Sequence, residues 1–330
     1  GQAAYAAANA LLERLEHPMA TRSIAIRWSA WSEVGMAADP TLQKLLSRRG
    51  IHALSPAQGA ALFLQALRCD GVLWASADPP PADGLPWPLT GYSPRGFAVQ
   101  LAPDDPVLGD HRVGGSPLVP GAVWVRAMLT AAEVASGAGT RLFEDLAILA
   151  PTFVREPVLA EVICTDDRIE VRRGELVVAR ARVRAVDPPQ PTDRPGELDA
   201  PSARDLYRQG RLFHGPTWQM LRTARFETGS ASAEVHLNGL DPVATLVDGA
   251  HQLLACWAGQ TDGRLGLPVG AACWEINPEI DARSLRLELS GRIEGDRILG
   301  DVTAIEPSGR VAARAKGVEL KASSSWGQDV

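Results

Sequence analysis

Between Pro242 and Gly259 the chain carries one formal charge, Asp248. Val243, Leu246, Val247, Ala250, Leu253, Leu254 and Trp257 repeat at helical spacing as a wide apolar stripe. The other faces are Ala244, Thr245, Gly249, His251, Gln252, Ala255, Cys256 and Ala258. A helix with no Lys, Arg or Glu on any side has no solvated face, so the rest of the chain must cover it nearly all round. The surrounding sequence offers sheet for that purpose, with strand-like runs at 232–237, 285–293, 298–305 and 311–320. The same plan occurs earlier: an apolar helix at 122–135 is followed by strands near 158–164, 169–172 and 176–186. In the last of these, Val177, Ala179, Ala181 and Val183 alternate with Arg180, Arg182 and Arg184, so one face is buried and one is wet. Two copies of a helix with an antiparallel sheet predict an α+β protein with a duplicated structural unit.

Two proline-rich stretches divide the 330 residues. They leave a first block at 1–78, a linker at 79–88, a second block at 89–187, a linker at 188–201, a third block at 202–322 and a tail at 323–330. The first block predicts a helix at 8–15, a strand at 23–28, a helix at 56–67 behind Ser55 and Pro56, and a strand at 72–75. That is α/β alternation with too few strands to bury both sheet faces. The block is expected to be half a domain, and the chain a piece of something longer.

Lys plus Arg is 33 against 39 Asp plus Glu, and this balance argues against a nucleic-acid protein. Hydrophobic residues at 45% suffice for a sizeable core, so disorder is excluded for the bulk of the chain. No apolar run reaches the roughly 18 residues of a membrane-spanning helix, and no signal segment opens the sequence. Cys69, Cys164, Cys256 and Cys273 show no metal or redox spacing and lie among apolar residues, as in a reduced cytoplasmic protein.

Four places can carry chemistry. The segment Asp110-His111-Arg112-Val113-Gly114-Gly115-Ser116-Pro117-Leu118-Val119-Pro120-Gly121 precedes the second block's helix. Its glycines and prolines suggest a backbone shaped for close approach. His111 would then face a polarised carbonyl beside a helix N-terminus, or else simply cap a turn; spacing leaves both open. Asp248 is the second. A buried carboxylate without a cation has a raised pKa and stays protonated, as a general acid must at neutral pH. The competing reading is a structural Asp held by backbone groups. Gln252, at i+4, can hold the carboxyl, and His251, at i+3, is the weaker candidate. The third is Phe213-His214-Gly215-Pro216-Thr217-Trp218, and the fourth Leu267-Pro268-Val269-Gly270 before Trp274. Alone, the third reads as core beside a turn, and the fourth as a loop entering a strand.

Together these segments resemble the dehydratase domains of polyketide and fatty acid synthases. His111, Gly115 and Pro120 match that family's HxxxGxxxxP motif, and Asp248 with Gln252 matches its DxxxQ/H motif. Phe213-His214-Gly215-Pro216 resembles its YGP-type motif, with His214 where a Tyr is usual, and Leu267-Pro268-Val269 its LPF-type motif. The resemblance runs from about 89 to 322 and implies a double hotdog, two helices each wrapped by an antiparallel sheet. It implies loss of water from a 3-hydroxyacyl thioester, with His111 as base, Asp248 as acid, and Gly115, Pro120, Gln252, Gly215, Pro216 and Pro268 in support. The substrate would arrive on the phosphopantetheine of an acyl carrier protein, through a narrow apolar tunnel, with no metal or redox cofactor required. Neighbouring synthase domains would be the other partners, with a homodimer formed through the parent synthase. Tyr5-Ala6-Ala7-Ala8-Asn9 and Trp28-Ser29-Ala30-Trp31 resemble the end of a synthase ketoreductase, whose glycine loop and Lys would lie before Gly1. Tyr5 and Asn9 are then vestigial. The order ketoreductase then dehydratase resembles iterative enediyne and polyunsaturated-fatty-acid synthases. A product-template cyclase and a non-catalytic docking domain of the same fold are the alternatives.

Overall fold

The computed structural model describes residues 87–322, except 94–95, 137–138, 166, 210–211, 238–239 and 281–282. It also describes 24–28, 30–35, 38–48, 53–57, 59–60, 63 and 71–75. The expected helix at 8–15, Tyr5, Asn9, Cys69, most of the 79–88 linker and the 323–330 tail lie outside the described residues.

The N-terminal elements are β1 (Ile24–Trp28), α1 (Pro40–Arg48) and β2 (Gly71–Ala75). β1 and β2 pair in parallel, from Ile24 opposite Gly71 to Trp28 opposite Ala75, as the two strand expectations allow. Helical residues at Pro56, Ala57, Gly59, Ala60 and Phe63 agree with the expected helix; α1 was not foreseen.

The second block runs β3 (Gly91–Ser93), β4 (Gly96–Leu101), α2 (Pro106–Gly109), β5 (Arg112–Val113), β6 (Ser116–Pro117), α3 (Gly121–Ser136), β7 (Arg141–Ile148), β8 (Val158–Cys164), β9 (Arg168–Arg173) and β10 (Leu176–Ala185). The third runs α4 (Arg204–Arg208), β11 (Leu221–Glu227), β12 (Ser230–His236), α5 (Pro242–Thr261), β13 (Gly266–Ile276), β14 (Ser284–Glu294), β15 (Arg297–Ile305) and β16 (Val311–Ala322). Both long helices and seven strands stand where the apolar periodicity put them. β3, β4, β5, β6, β7, β11 and β13 were not foreseen; in the longest of them the sequence hides the alternation. β7 carries Glu144 and Asp145, the latter at φ 53°, and β13 contains Pro268 and two glycines.

Among the described residues one 12-stranded antiparallel sheet has the order β11-β12-β14-β15-β16-β13-β7-β10-β9-β8-β4-β3. Its outer six strands on each side come from one block, and the blocks meet at β13–β7, where Trp274 faces Phe143. α3 lies against β8 and β9, α5 lies against β11, β12, β14 and β15, and the helices touch each other. Each half of the sheet therefore curls around its own helix, which is the double-hotdog architecture. All residues from Val243 to Ala258 are buried, so the helix with one charge is covered on every side as its composition demands. Asp241 caps α5 by accepting from the Ala244 N–H at 3.0 Å, with Pro242 in the first turn. Arg126 of α3 bonds both Asp241 and Glu133 at 2.9 Å, tying one helix to the start of the other.

The 188–201 stretch forms no helix or strand but is pinned across the second half. Thr192 N–H donates to Gly309 O at 2.9 Å, and Arg286 reaches Gly196 O at 2.6 Å. Among the described residues no helix is long and apolar enough to cross a membrane.

Candidate active site

The two helix-bearing halves meet at their signature loops. After α2 the chain reaches His111, whose backbone forms an isolated antiparallel bridge with His214 of the other half. Asp110 makes the junction firm: its carbonyl accepts from Gly215 N–H at 2.7 Å, and its carboxylate accepts from Thr217 N–H at 2.8 Å. Those bonds hold the Asp110 carboxyl below the usual carboxylate range, with the Thr217 contacts as the main cause. Trp218 Nε1–H donates to Val107 O at 2.7 Å, a third tie across the same seam. Gly215 is glycine because a Cβ there would stand 2.8 Å from the Asp110 side chain. Pro216 opens the short 3₁₀ turn Pro216–Trp218. We expect Asp110→Ala to lower the unfolding free energy by about 1–3 kcal/mol, since the Thr217 N–H loses its carboxylate acceptor while the Gly215 N–H keeps the backbone carbonyl. Urea unfolding of the two chains checks this.

Gly114 and Gly115 correct the expectation of close approach. They form the two-residue turn between β5 and β6, at φ 56° and 74°, where a Cβ would meet nothing within 4 Å. They are there for a left-handed hairpin turn. The hairpin returns the chain so that Leu118 N–H donates to His111 O at 3.0 Å, and His111 Nδ1 lies 2.6 Å from Leu118 O. A carbonyl can only accept, so Nδ1 carries the hydrogen and Nε2 keeps its lone pair. Pro120 is buried at the end of this loop, and its carbonyl accepts from Val123 N–H at 3.0 Å, starting α3.

From α5, Asp248 comes up to meet this seam. One ligand atom each from His111, His214 and Asp248 lies within 4.8 Å of the other two. His111 and Asp248 are both 4% exposed, so the expected pair is brought together in a nearly dry place. Burial drives the Asp248 carboxyl up to about 7, against a smaller opposing pull from Gln252. Burial drives His111 down to about 4, and it drives His214 well below the ordinary histidine value, helped by the other imidazoles. The 3.6 Å approach of His214 Nε2 to Asp248 Oδ2 is therefore not an ion pair, since both groups favour their neutral forms near neutral pH; it is also too long for a hydrogen bond.

Gln252 is fully committed. Its Nε2 donates to Asp248 Oδ2 at 2.6 Å and to Trp218 O at 2.7 Å, while its Oε1 accepts from Tyr207 O–H at 2.6 Å. Tyr207, on α4, in turn accepts from Leu221 N–H at 2.9 Å. Sequence reasoning missed Tyr207, because nothing in local spacing links it to a residue 45 positions away. His251 does not hold Asp248: its Nδ1 has no hydrogen-bond partner, and its ring lies edge-on to Trp274 at 6.5 Å. Pro268 sits inside β13 opposite Leu320 of β16, at a register shift, and not in a loop entering a strand.

A double hotdog with a buried imidazole and carboxyl facing each other across the joint defines the class. Residues 92–178 match the family described as "Polyketide synthase dehydratase domain", and residues 184–328 match "Polyketide synthase dehydratase N-terminal domain". Residues 92–178 and 184–328 together belong to the polyketide synthase dehydratase domains. It is 30% identical over 203 residues to the spectinabilin polyketide synthase system protein NorB of Streptomyces orinoci, covering 58% of this chain and 8% of that protein. It is 34% identical over 102 residues to the phthioceranic/hydroxyphthioceranic acid synthase of Mycobacterium tuberculosis, 29% of this chain and 5% of that protein. The chain thus spans a small fraction of these relatives. Among solved structures, GphF dehydratase 1 superposes with a TM-score of 0.61 at 20% identity, over 72% of this chain and 99% of that one. The PpsC dehydratase domain of Mycobacterium tuberculosis gives 0.59 at 22%, over 69% and 93%. At these identities the structures speak for the fold.

Proposed function

We propose that this domain removes water from a 3-hydroxyacyl thioester carried on the phosphopantetheine of an acyl carrier protein, giving the 2-enoyl thioester during polyketide assembly. The observation that carries the reading is the meeting of a buried imidazole and a buried carboxyl from the two halves. A neutral imidazole with a free Nε2 lone pair lies within 4.8 Å of a carboxyl that burial keeps protonated up to about 7. Elimination needs both. His111 takes the α-proton, electrons move into the new C–C double bond, and Asp248 delivers its proton to the departing β-hydroxyl. Gln252 occupies Oδ2 as a donor, which leaves Oδ1 to carry that proton. Phe213, 39% exposed and edge-on to His111 at 4.9 Å, marks the open side from which the acyl chain would enter. Family membership supports an acyl carrier protein and neighbouring synthase domains as partners and a cytoplasmic setting. Residues 1–78 read as the end of a ketoreductase-like domain, a reading the parallel β1–β2 pair supports.

The test is incubation with a short 3-hydroxyacyl-pantetheine thioester, following loss of one water by mass spectrometry. Wild type should turn over, and Gln252→Ala should lose less activity than loss of Asp248 does. Its pH optimum should stay roughly in place, because burial rather than the hydrogen bond sets most of the Asp248 pKa. No turnover by the wild type on carrier-bound or pantetheine substrates would refute the reading. A Gln252→Ala rate equal to wild type at every pH would reduce Gln252 to packing.

A further inference from the structure

We propose that His111, His214 and Asp248 form a binding site for one divalent transition-metal ion of the zinc type, and that occupancy switches the acid–base chemistry off. The binding stands on geometry alone; the switching rests on the dehydratase reading. Two imidazoles and one carboxylate are a common zinc donor set, with three chain ligands and one position left for water. Metal–ligand bonds of about 2.0–2.2 Å in a tetrahedron set the ligand atoms about 3.3–3.5 Å apart. His214 Nε2 and Asp248 Oδ2 are already 3.6 Å apart, and the widest pair in the cluster is no more than 4.8 Å. Closing the widest gap to a tetrahedral separation asks for a shift of roughly 1 Å among the three side chains.

The surroundings favour this use. Histidine ligands usually donate their second ring N–H to a carbonyl or carboxylate, which fixes the tautomer. His111 does so through Leu118 O at 2.6 Å. His214, 9% exposed, departs from that pattern: its Nδ1 has no hydrogen-bond partner, which leaves the ring free to turn its Nε2 toward an ion. Asp248 is held on one oxygen by Gln252, and among the described residues only His214 approaches it at ion-pair distance. A dication would supply the positive charge that this buried carboxylate lacks. Two nitrogen donors and a single carboxylate suit zinc, cobalt or nickel; calcium and magnesium take mainly oxygen ligands in larger number. An ion there would occupy the lone pair of the base and displace the proton of the acid.

The chain, stripped with a chelator, is titrated with cobalt(II), reading the visible absorption of the four-coordinate ion, and with zinc by calorimetry. One equivalent should bind to wild type, and zinc should raise its thermal midpoint in a concentration-dependent way. His214→Phe should bind at least about tenfold more weakly. Asp248→Asn, nearly isosteric, is the second variant should His214→Phe fail to fold. Zinc should suppress water loss by wild type, and the chelator should restore it. The proposal is overturned if wild type takes up no stoichiometric metal, or if a folded variant binds as tightly as wild type. Because binding is read without substrate, metal uptake by a chain that never dehydrates would sink the dehydratase reading and keep the site. Dehydration without metal uptake would do the reverse.

Discussion

Asp248→Asn should cut the rate of water loss by about 100- to 10,000-fold, the usual worth of a positioned acid, while the fold survives. Asn keeps an oxygen for the Gln252 N–H, so the network from Tyr207 to Trp218 can stay assembled. What it lacks is a proton to give. The wild-type rate should fall as pH rises through about 7, where the carboxyl ionises. The same shift has a stability consequence of opposite sense for the variant. An acid whose folded pKa is raised favours the folded state fully below its unfolded value, and that contribution is lost as pH climbs through the folded one. Above about pH 7 the wild type buries an unpaired negative charge, and Asp248→Asn does not. The variant should therefore be the more stable chain in urea at alkaline pH, while being nearly inactive at every pH. A variant that dehydrates at more than about a tenth of the wild-type rate, against the usual worth of such a group, would remove Asp248 from the role of acid.

His111→Ala should lose activity by a similar factor, about 100- to 10,000-fold, because His214 and His251 make poor substitutes. His214 is stacked on Phe213 at 4.4 Å with its Nε2 turned to Asp248 Oδ2 at 3.6 Å, and His251 sits against Trp274. In the wild type the acid side of the pH profile should fall only below about 4, where His111 gains its proton. Between about 4 and 7 both groups hold the proton states that elimination needs. The measurement is the single-turnover rate across that range. A His111→Ala chain whose rate and acid limb match the wild type would assign the base to another group.

These two residues differ in how far sequence alone could carry them. Asp248 stands out because a solvated helix face is never written as Ala, Thr, Gly, Gln and Cys, so the lone acid had to be inside. Gln252 follows from the same helix, since i and i+4 share a face, and the bond is there at 2.6 Å. His111 was legible as part of a motif, yet its tautomer was not, because that depends on a hairpin bringing Leu118 O to its ring. The glycines of that hairpin were read for the wrong property: positive φ and close approach both call for glycine, and only the surrounding space tells them apart.

What the sequence by itself determined are the properties that repeat within a few residues: both helices, the alternating strands, the buried acid and its i+4 partner. Each depends on periodicity, and periodicity is local. Only the tertiary structure decided the contacts between distant stretches. Thr217 reaches Asp110 across 107 positions and Tyr207 reaches Gln252 across 45, while the β13–β7 pairing joins the two halves into one sheet. No spacing rule links such residues. Their meeting is set by how two separately wrapped helices bury their remaining apolar faces against each other, and that burial is what delivers His111 and His214 to Asp248.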